Sequence, residues 1–504
     1  MTQAQGGTQQ TQPMSDRNRW IALYVLCAGM LMIVLDITVV NVALPSIKDD
    51  LGFNQSSLAW VVNAYLITFG GLLLLAGRLG DLIGRRTIFL IGLAVFVAAS
   101  LLCGASQSEG MLIGARLLQG IGGAMTSAVI LGMIVTMFPE PRDQAKAVGV
   151  YAFVASAGGA VGLLLGGVIT QVISWHWIFF VNAPIGVVTA VLATRLLDKD
   201  EGLGFREGAD LIGAVLITTS LMLGVYTIVE PAAKDGWGAT TTLALGAGSL
   251  VLLAAFIARE ATAGTPLIPL RIFKSRNVTG ANLVQVLTVA GMFGMFFMGS
   301  LYLQLVQGYD ALQIGLAFLP VTIIMGTLTG RYSEPLITRF GARTLLFPGL
   351  ALVAAGLAFF TRAPVDANYW TDVFPVLVLL GTGIGISFPA LMTIAMSGAT
   401  RADAGLASGL VNTSAQVGGA LGLAVLATLS TSRSNSLEDA GHSTASALTS
   451  GYHLAFWVAA GLVVAAIGVA AVVLQPEEKA AEQFAGDEPE ELRRSDEAAY
   501  SEAA

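Results

Sequence analysis

Charge is scarce in this chain. Only 12% of its 504 residues are Asp, Glu, Lys or Arg, against about 25% in a soluble domain. With 55% hydrophobic residues and a mean hydropathy of +0.74, that deficit excludes an ordinary cytosolic enzyme, a disordered chain and a collagen-like fibre. Cysteine is nearly absent. Cys27 and Cys103 both sit in apolar runs, placed near opposite membrane faces, so packing is expected and a disulfide scaffold is excluded. His176, His442 and His453 are too few and too scattered for a metal site. No Gly-x-x-x-x-Gly-Lys-Ser/Thr run occurs, so no ATP-hydrolysing loop is present. No nucleophile–base set converges, so an enzyme is not expected. The net charge of −7 offers no basic surface for nucleic acid. Nor is a cleavable signal expected, because a polar tail precedes a first apolar run too long for one.

What is present is membrane-spanning sequence. A bilayer-crossing helix needs about 20 mostly apolar residues. Such runs lie near 20–45, 57–77, 87–106, 111–138, 144–172, 177–197, 208–230, 240–258, 278–306, 311–332, 344–361, 372–396, 404–430 and 452–474, which makes fourteen. The division between the ninth and tenth requires a turn at Gly308, Tyr309 and Asp310. With the N-terminus inside, 21 of the 26 Lys and Arg residues fall on the inner side and four outside, while Arg116 alone lies within a span. That asymmetry predicts cytoplasmic N- and C-termini in a cell membrane. The charge of −7 belongs to residues 475–504, with ten acids and three bases, while the rest of the chain is balanced at 23 of each. This acidic tail and the polar residues 1–19 are expected to be solvated and disordered. Trp60, Trp175, Trp177, Trp237, Trp370 and Trp457 fall near the predicted interfaces and read as an aromatic belt.

The two ends of the chain echo each other. Arg19 and Arg276 precede spans 1 and 9 at an offset of 257, and Gly84-Arg85-Arg86 answers Gly341-Ala342-Arg343 at the same offset. Arg142, Ala145 and Gly149 answer Arg401, Ala404 and Gly409, and the Gly158–Gly162 run answers Gly418–Gly422, at offsets of 259 to 260. Residues 20–200 and 263–474 therefore read as duplicated six-helix bundles, with two inserted helices in 201–262. Facing repeats with a midplane site are a transporter design.

Particular residues then carry chemistry. Asp36 lies some 16 residues into span 1. Desolvation penalises its charged form, which suits a proton-exchanging group, while a purely structural pairing with Arg116 is the plainer alternative. Arg116 lies at a similar depth and either pairs with Asp36 or snorkels to the outer surface. Gly77 and Gly84 permit a tight turn after span 2, Arg85 and Arg86 anchor it inside, and Asp81 is free to face the start of span 13. Asn41, Asn63, Tyr65, Gln285, Tyr302, Gln304, Asn412 and Gln416, with apolar surface from Phe296 and Phe297, are the candidates to line a substrate cavity. Helix–helix contact is the bland alternative for each. Gly158, Gly162, Gly166 and Gly167 place small residues on span 5, suited to close packing.

Several of these segments resemble one family. Gly77, Gly80, Asp81, Gly84, Arg85 and Arg86 resemble the signature loop of the major facilitator superfamily. Leu35-Asp36, Thr38, Asn41 and Pro45 in span 1 are similar to the segment of its fourteen-span drug:proton antiporters, and Arg116 with Gln119-Gly120 resembles their intramembrane arginine motif. Trp175 to Gly186, including Asn182 and Pro184, also fits. The resemblance implies an all-α major facilitator fold, Asp36 as the coupling carboxylate, the 77–86 loop as a conformational latch and span 5 as a seal against proton leak. It implies export of a small amphipathic organic compound by alternating access, with no cofactor, driven by protons, from a monomer in the lipid bilayer. Two departures stand out. Leu163 replaces the proline that usually precedes the last two glycines of span 5, and Thr338 stands where the second repeat would match Asp81. A dedicated exporter of one metabolite is the alternative, and a non-transporting receptor or channel is a more distant one.

Overall fold

The computed structural model describes residues 16–54, 57–138, 140–198, 200, 202–204, 208–397 and 404–475. Among them there is no strand. Fourteen long helices follow in order: α1 Asp16–Leu51, α2 Trp60–Ile83, α3 Arg85–Gly104, α4 Glu109–Met137, α5 Pro141–Val172, α6 Trp177–Leu196 and α7 Leu211–Asp235. The second set is α8 Thr240–Thr262, α9 Arg276–Val306, α10 Ala311–Phe340, α11 Ala342–Phe360, α12 Tyr369–Ser397, α13 Ala404–Asp439 and α14 Thr444–Val473. Thirteen segments of the described residues are long and apolar enough to cross a membrane. The remaining helix, α5, is continuous over 32 residues, about 48 Å at 1.5 Å per residue. Its start is tied to the start of α1 by Arg19–Glu140 at 3.4 Å, and the turn beyond its end to the end of α1 by Trp175 Nε1 donating to Asp50 at 2.9 Å. It therefore runs beside α1 from end to end.

Local chemistry sets the boundaries. The turn expected at 308–310 is present, and Asp310 caps α10 through a reciprocal pair with Gln313 at 2.8 and 3.0 Å. α7 widens to a π-turn at Ile228–Ala232, where Pro231 supplies no backbone N–H. α5 is helical without a break through Leu163. The expected N-terminal tail needs correction: residues 16–19 are helical, and only 1–15 fall outside the described residues, as does 476–504 of the acidic tail.

The same neighbour relations recur in each half. α1 packs on α5, α2 on α4, α3 on α4 and α3 on α6; α9 packs on α13, α10 on α12, α11 on α12 and α11 on α14. The halves meet along α2–α13 and α5–α10. Glycine sets the second contact: a Cβ on Gly167 would lie 2.7 Å from the Ala311 carbonyl oxygen, and one on Gly315 would lie 2.5 Å from that of Leu163. Ser300 Oγ also donates to the Asn41 carbonyl at 2.8 Å, joining α9 to α1. These contacts lie at the end of the bundle away from the chain termini. α7 and α8 are joined by reciprocal Ser220–Ser249 hydrogen bonds at 2.8 and 2.9 Å, and α7 lies against α2.

Candidate functional site

Four helices of the first half converge on Asp36. α1 supplies the carboxylate, α4 supplies Arg116 and Gln119, α3 supplies Ser100 and α6 supplies Asn182, and all five are buried. Arg116 Nη1 donates to Asp36 Oδ2 at 2.5 Å, while Gln119 Nε2 and Asn182 Nδ2 donate to Oδ1 at 2.6 and 3.1 Å. The carboxylate thus accepts from three side-chain donors on two other helices. Ser100 Oγ accepts from the same two amides at 2.8 and 3.4 Å, and Gln119 Oε1 accepts from Arg116 at 2.6 Å.

Arg116 is held on every side. Its Nε donates to the Val61 carbonyl at 2.9 Å, and its guanidinium carbon lies 4.4 Å from the Tyr65 ring centroid and 5.8 Å from that of Phe179. Its side chain is 1% exposed, so it does not snorkel. Pairing is thus the arrangement observed, and the pair is sealed within one half instead of facing the other. A buried pair is tolerable only when its remaining hydrogen-bonding groups are satisfied, and here they nearly are. Asn182 Oδ1 is the exception, buried without a partner. Asn182 and Gln119 stand in the segments singled out for resemblance, but sequence reasoning gave them no role. Gln119 carries a readable signal, three residues beyond Arg116 on the same helix face. Ser100 has none, because a serine in an apolar run is ordinary.

The 77–86 loop is built as a tight turn, with Gly84 at φ 106°. Asp81 pairs with Arg85 at 3.1 Å, and Arg85 Nη1 donates to the Gly132 carbonyl at 3.0 Å. Asp81 is thus engaged within its own half. The start of α13 that it was expected to face adjoins residues 398–403, which lie outside the described residues.

The cavity candidates divide. Asn63 is fully buried with neither side-chain atom partnered, and Tyr65 Oη, Gln285 Nε2 and Gln416 Oε1 are also buried and unpartnered. Gln416 lies at the seam between halves, where a Cβ on Gly70 would come within 2.7 Å of its own Cβ. Asn41 donates to Ile37 within its helix at 3.0 Å, Gln304 is half-buried and Asn412 is exposed, donating to Ser408 at 3.3 Å. Tyr302 needs correction: its hydroxyl donates to Pro364 at 2.6 Å and its ring packs edge-on against Phe360 and Tyr452, which is a core position. Phe297 is fully buried, and Phe296 packs on Phe318. On span 5, Gly158, Gly162 and Gly166 face α1 at Val34, Thr38 and Val39, while Gly167 faces α10. Of the tryptophans expected in a belt, Trp177, Trp237, Trp370 and Trp457 are exposed, whereas Trp60 and Trp175 are buried. Cys27 and Cys103 are free and buried.

The family model described as Major Facilitator Superfamily matches residues 26–423. The chain is 39% identical over 474 residues to the puromycin resistance protein of Streptomyces alboniger, covering 93% of this chain and 94% of that one. It is 39% identical over 431 residues to the cephamycin export protein of Amycolatopsis lactamdurans, covering 85% and 88%. In fold it is similar to a bacterial homologue of the human lysosomal transporter Spinster, with a TM-score of 0.64 at 14% identity, over 91% of this chain and 97% of that one.

Proposed function

Because the chain belongs to the Major Facilitator Superfamily, a family of membrane transporters, we propose that it is a proton-driven exporter of amphipathic organic compounds. It works in the cell membrane as a fourteen-span monomer with both termini in the cytoplasm, and no cofactor takes part. The observation that carries the coupling is the place of Asp36, an intramembrane carboxylate bonded to Arg116, Gln119 and Asn182 in one half. A proton arriving at Asp36 cancels its charge and weakens its hold on Arg116, so protonation and the packing of α1 against α4 and α6 change together. The seams at α2–α13 and α5–α10 are where one half rocks against the other.

Export of antibiotics is supported by the relatives, which are named for puromycin resistance and cephamycin export. Because each is named for a single antibiotic, export of one dedicated metabolite is the second reading, and competition among unrelated compounds separates the two. The single deep carboxylate is already paired with a cation, so neutral or singly charged substrates are favoured over divalent cations.

The test is transport into inverted membrane vesicles under an imposed pH gradient, with puromycin as the probe. Asp36→Asn is expected to abolish gradient-driven accumulation while leaving exchange of bound puromycin measurable. Full coupled accumulation in that variant overturns the assignment of Asp36.

A further inference from the structure

The linker between α6 and α7 is fastened to the latch loop by a set of contacts that proton coupling does not require. Asp200 accepts from the backbone amides of Arg85 at 2.5 Å and Arg86 at 3.2 Å, the first two residues of α3. Three and four residues on, the amides of Leu203 and Gly204 donate to the carbonyls of Asp81 at 2.9 Å and Leu82 at 3.0 Å, near the end of α2. The turn between two helices leaves both sets of groups without intrahelical partners. One short strap satisfies both, and its carboxylate also meets the positive end of the α3 dipole. The approach is close enough to require glycine on each side. A Cβ on Gly84 would lie 2.7 Å from the Asp200 carbonyl oxygen, and one on Gly202 would lie 2.2 Å from that of Leu82.

The fastening continues into the inserted helices. Arg78 Nε donates to the Gly208 carbonyl at 3.3 Å. Asp210 caps α7 through the Gly213 amide at 2.9 Å and accepts from Arg259 of α8 at 3.0 Å. Midway along, a Cβ on Gly71 of α2 would meet Thr218 Oγ1 of α7 at 2.5 Å.

We propose that Asp200 is a positioning residue that welds the latch loop to this linker, so that α7 and α8 travel with the first half as one body. Rocking between the halves is then taken up after α8 and at the contact of α7 with α13, where Thr428 Oγ1 donates to the Ile228 carbonyl at 3.1 Å.

Hydrogen–deuterium exchange on the full chain in lipid nanodiscs tests the strap without reference to substrate or proton. Asp200→Ala is expected to speed amide exchange about five- to tenfold, as loss of a capping side chain does, and to do so at 85–86 and 203–204 together. Asp200→Asn keeps an acceptor oxygen and is expected to restore most of the protection. Gly202→Val attacks the strap from its other side and is expected to expose the same two segments. Spin labels at Ile91 of α3 and Val215 of α7, both exposed, are expected to report a narrow distance distribution that broadens in Asp200→Ala. The proposal is overturned if exchange at 203–204 is unchanged in Asp200→Ala, or if the wild-type distribution is already as broad as the variant's.

Discussion

Consider what happens when the Asp36–Arg116 pair is neutralised one side at a time. In Arg116→Gln the carboxylate keeps the amides of Gln119 and Asn182 at 2.6 and 3.1 Å but loses its countercharge. The Val61 carbonyl loses its 2.9 Å donor, and the ring faces of Tyr65 and Phe179 lose the guanidinium. Removing one member of a buried pair costs about 3–5 kcal/mol, because the other is left charged without compensation. Asp36→Asn strands the arginine in the same way, at a similar cost of about 3–5 kcal/mol. The double variant leaves two neutral amides able to bond to each other, and it removes the uncompensated charge that dominates the cost of each single variant. It is therefore expected to lie within about 2 kcal/mol of the wild type, more stable than either single variant. SDS-titration unfolding in lipid–detergent micelles, followed by the fluorescence of the seven tryptophans, measures all four corners of the cycle. If the single losses simply add, to within about 0.5 kcal/mol, the two side chains are not coupled and the reasoning fails.

Two further predictions concern the seams. Gly167→Val places a Cβ against backbone, 2.7 Å from the Ala311 carbonyl oxygen and 2.9 Å from Leu312 Cα. Because backbone cannot yield, α5 and α10 are expected to separate, and disulfide cross-linking of an Asn41→Cys, Ser300→Cys pair should fall severalfold; unchanged cross-linking counts against the seam. Asn63→Leu removes an amide whose two polar atoms are buried without partners. Stability is expected to rise by about 1–2 kcal/mol while transport of the puromycin probe declines, and a loss of stability would show that Asn63 is already satisfied.

Asp36 and Arg116 were legible because charge is so rare in the spans that each had to be explained. Their geometry was not, since depth along a helix says nothing about rotation around it. Tyr302 illustrates the limit. A polar aromatic near a helix end suits a cavity wall as well as a core, and only the Pro364 carbonyl brought near by the fold satisfies its hydroxyl. Asn182 and Ser100 escaped for the same reason, being 82 residues apart and joined only across α3 and α6. The paired glycines were read as close-packing faces, but which neighbour each one admits, α1 for Gly162 and α10 for Gly167, came from the packing.

By itself the sequence determined that the chain is built from long apolar segments, along with the repeat between the two ends, the family resemblance and the two intramembrane charges. Those properties follow from hydropathy and spacing along one dimension, where the bilayer and the helix set the period. Tertiary structure alone decided that Asp36 is closed inside one half under three donors, that Asp81 is held by Arg85, and that Asp200 caps the helix across the latch turn. Each of these depends on hydrogen-bonding groups from separate helices finding one another once the apolar faces have packed. No local pattern in the chain records that meeting.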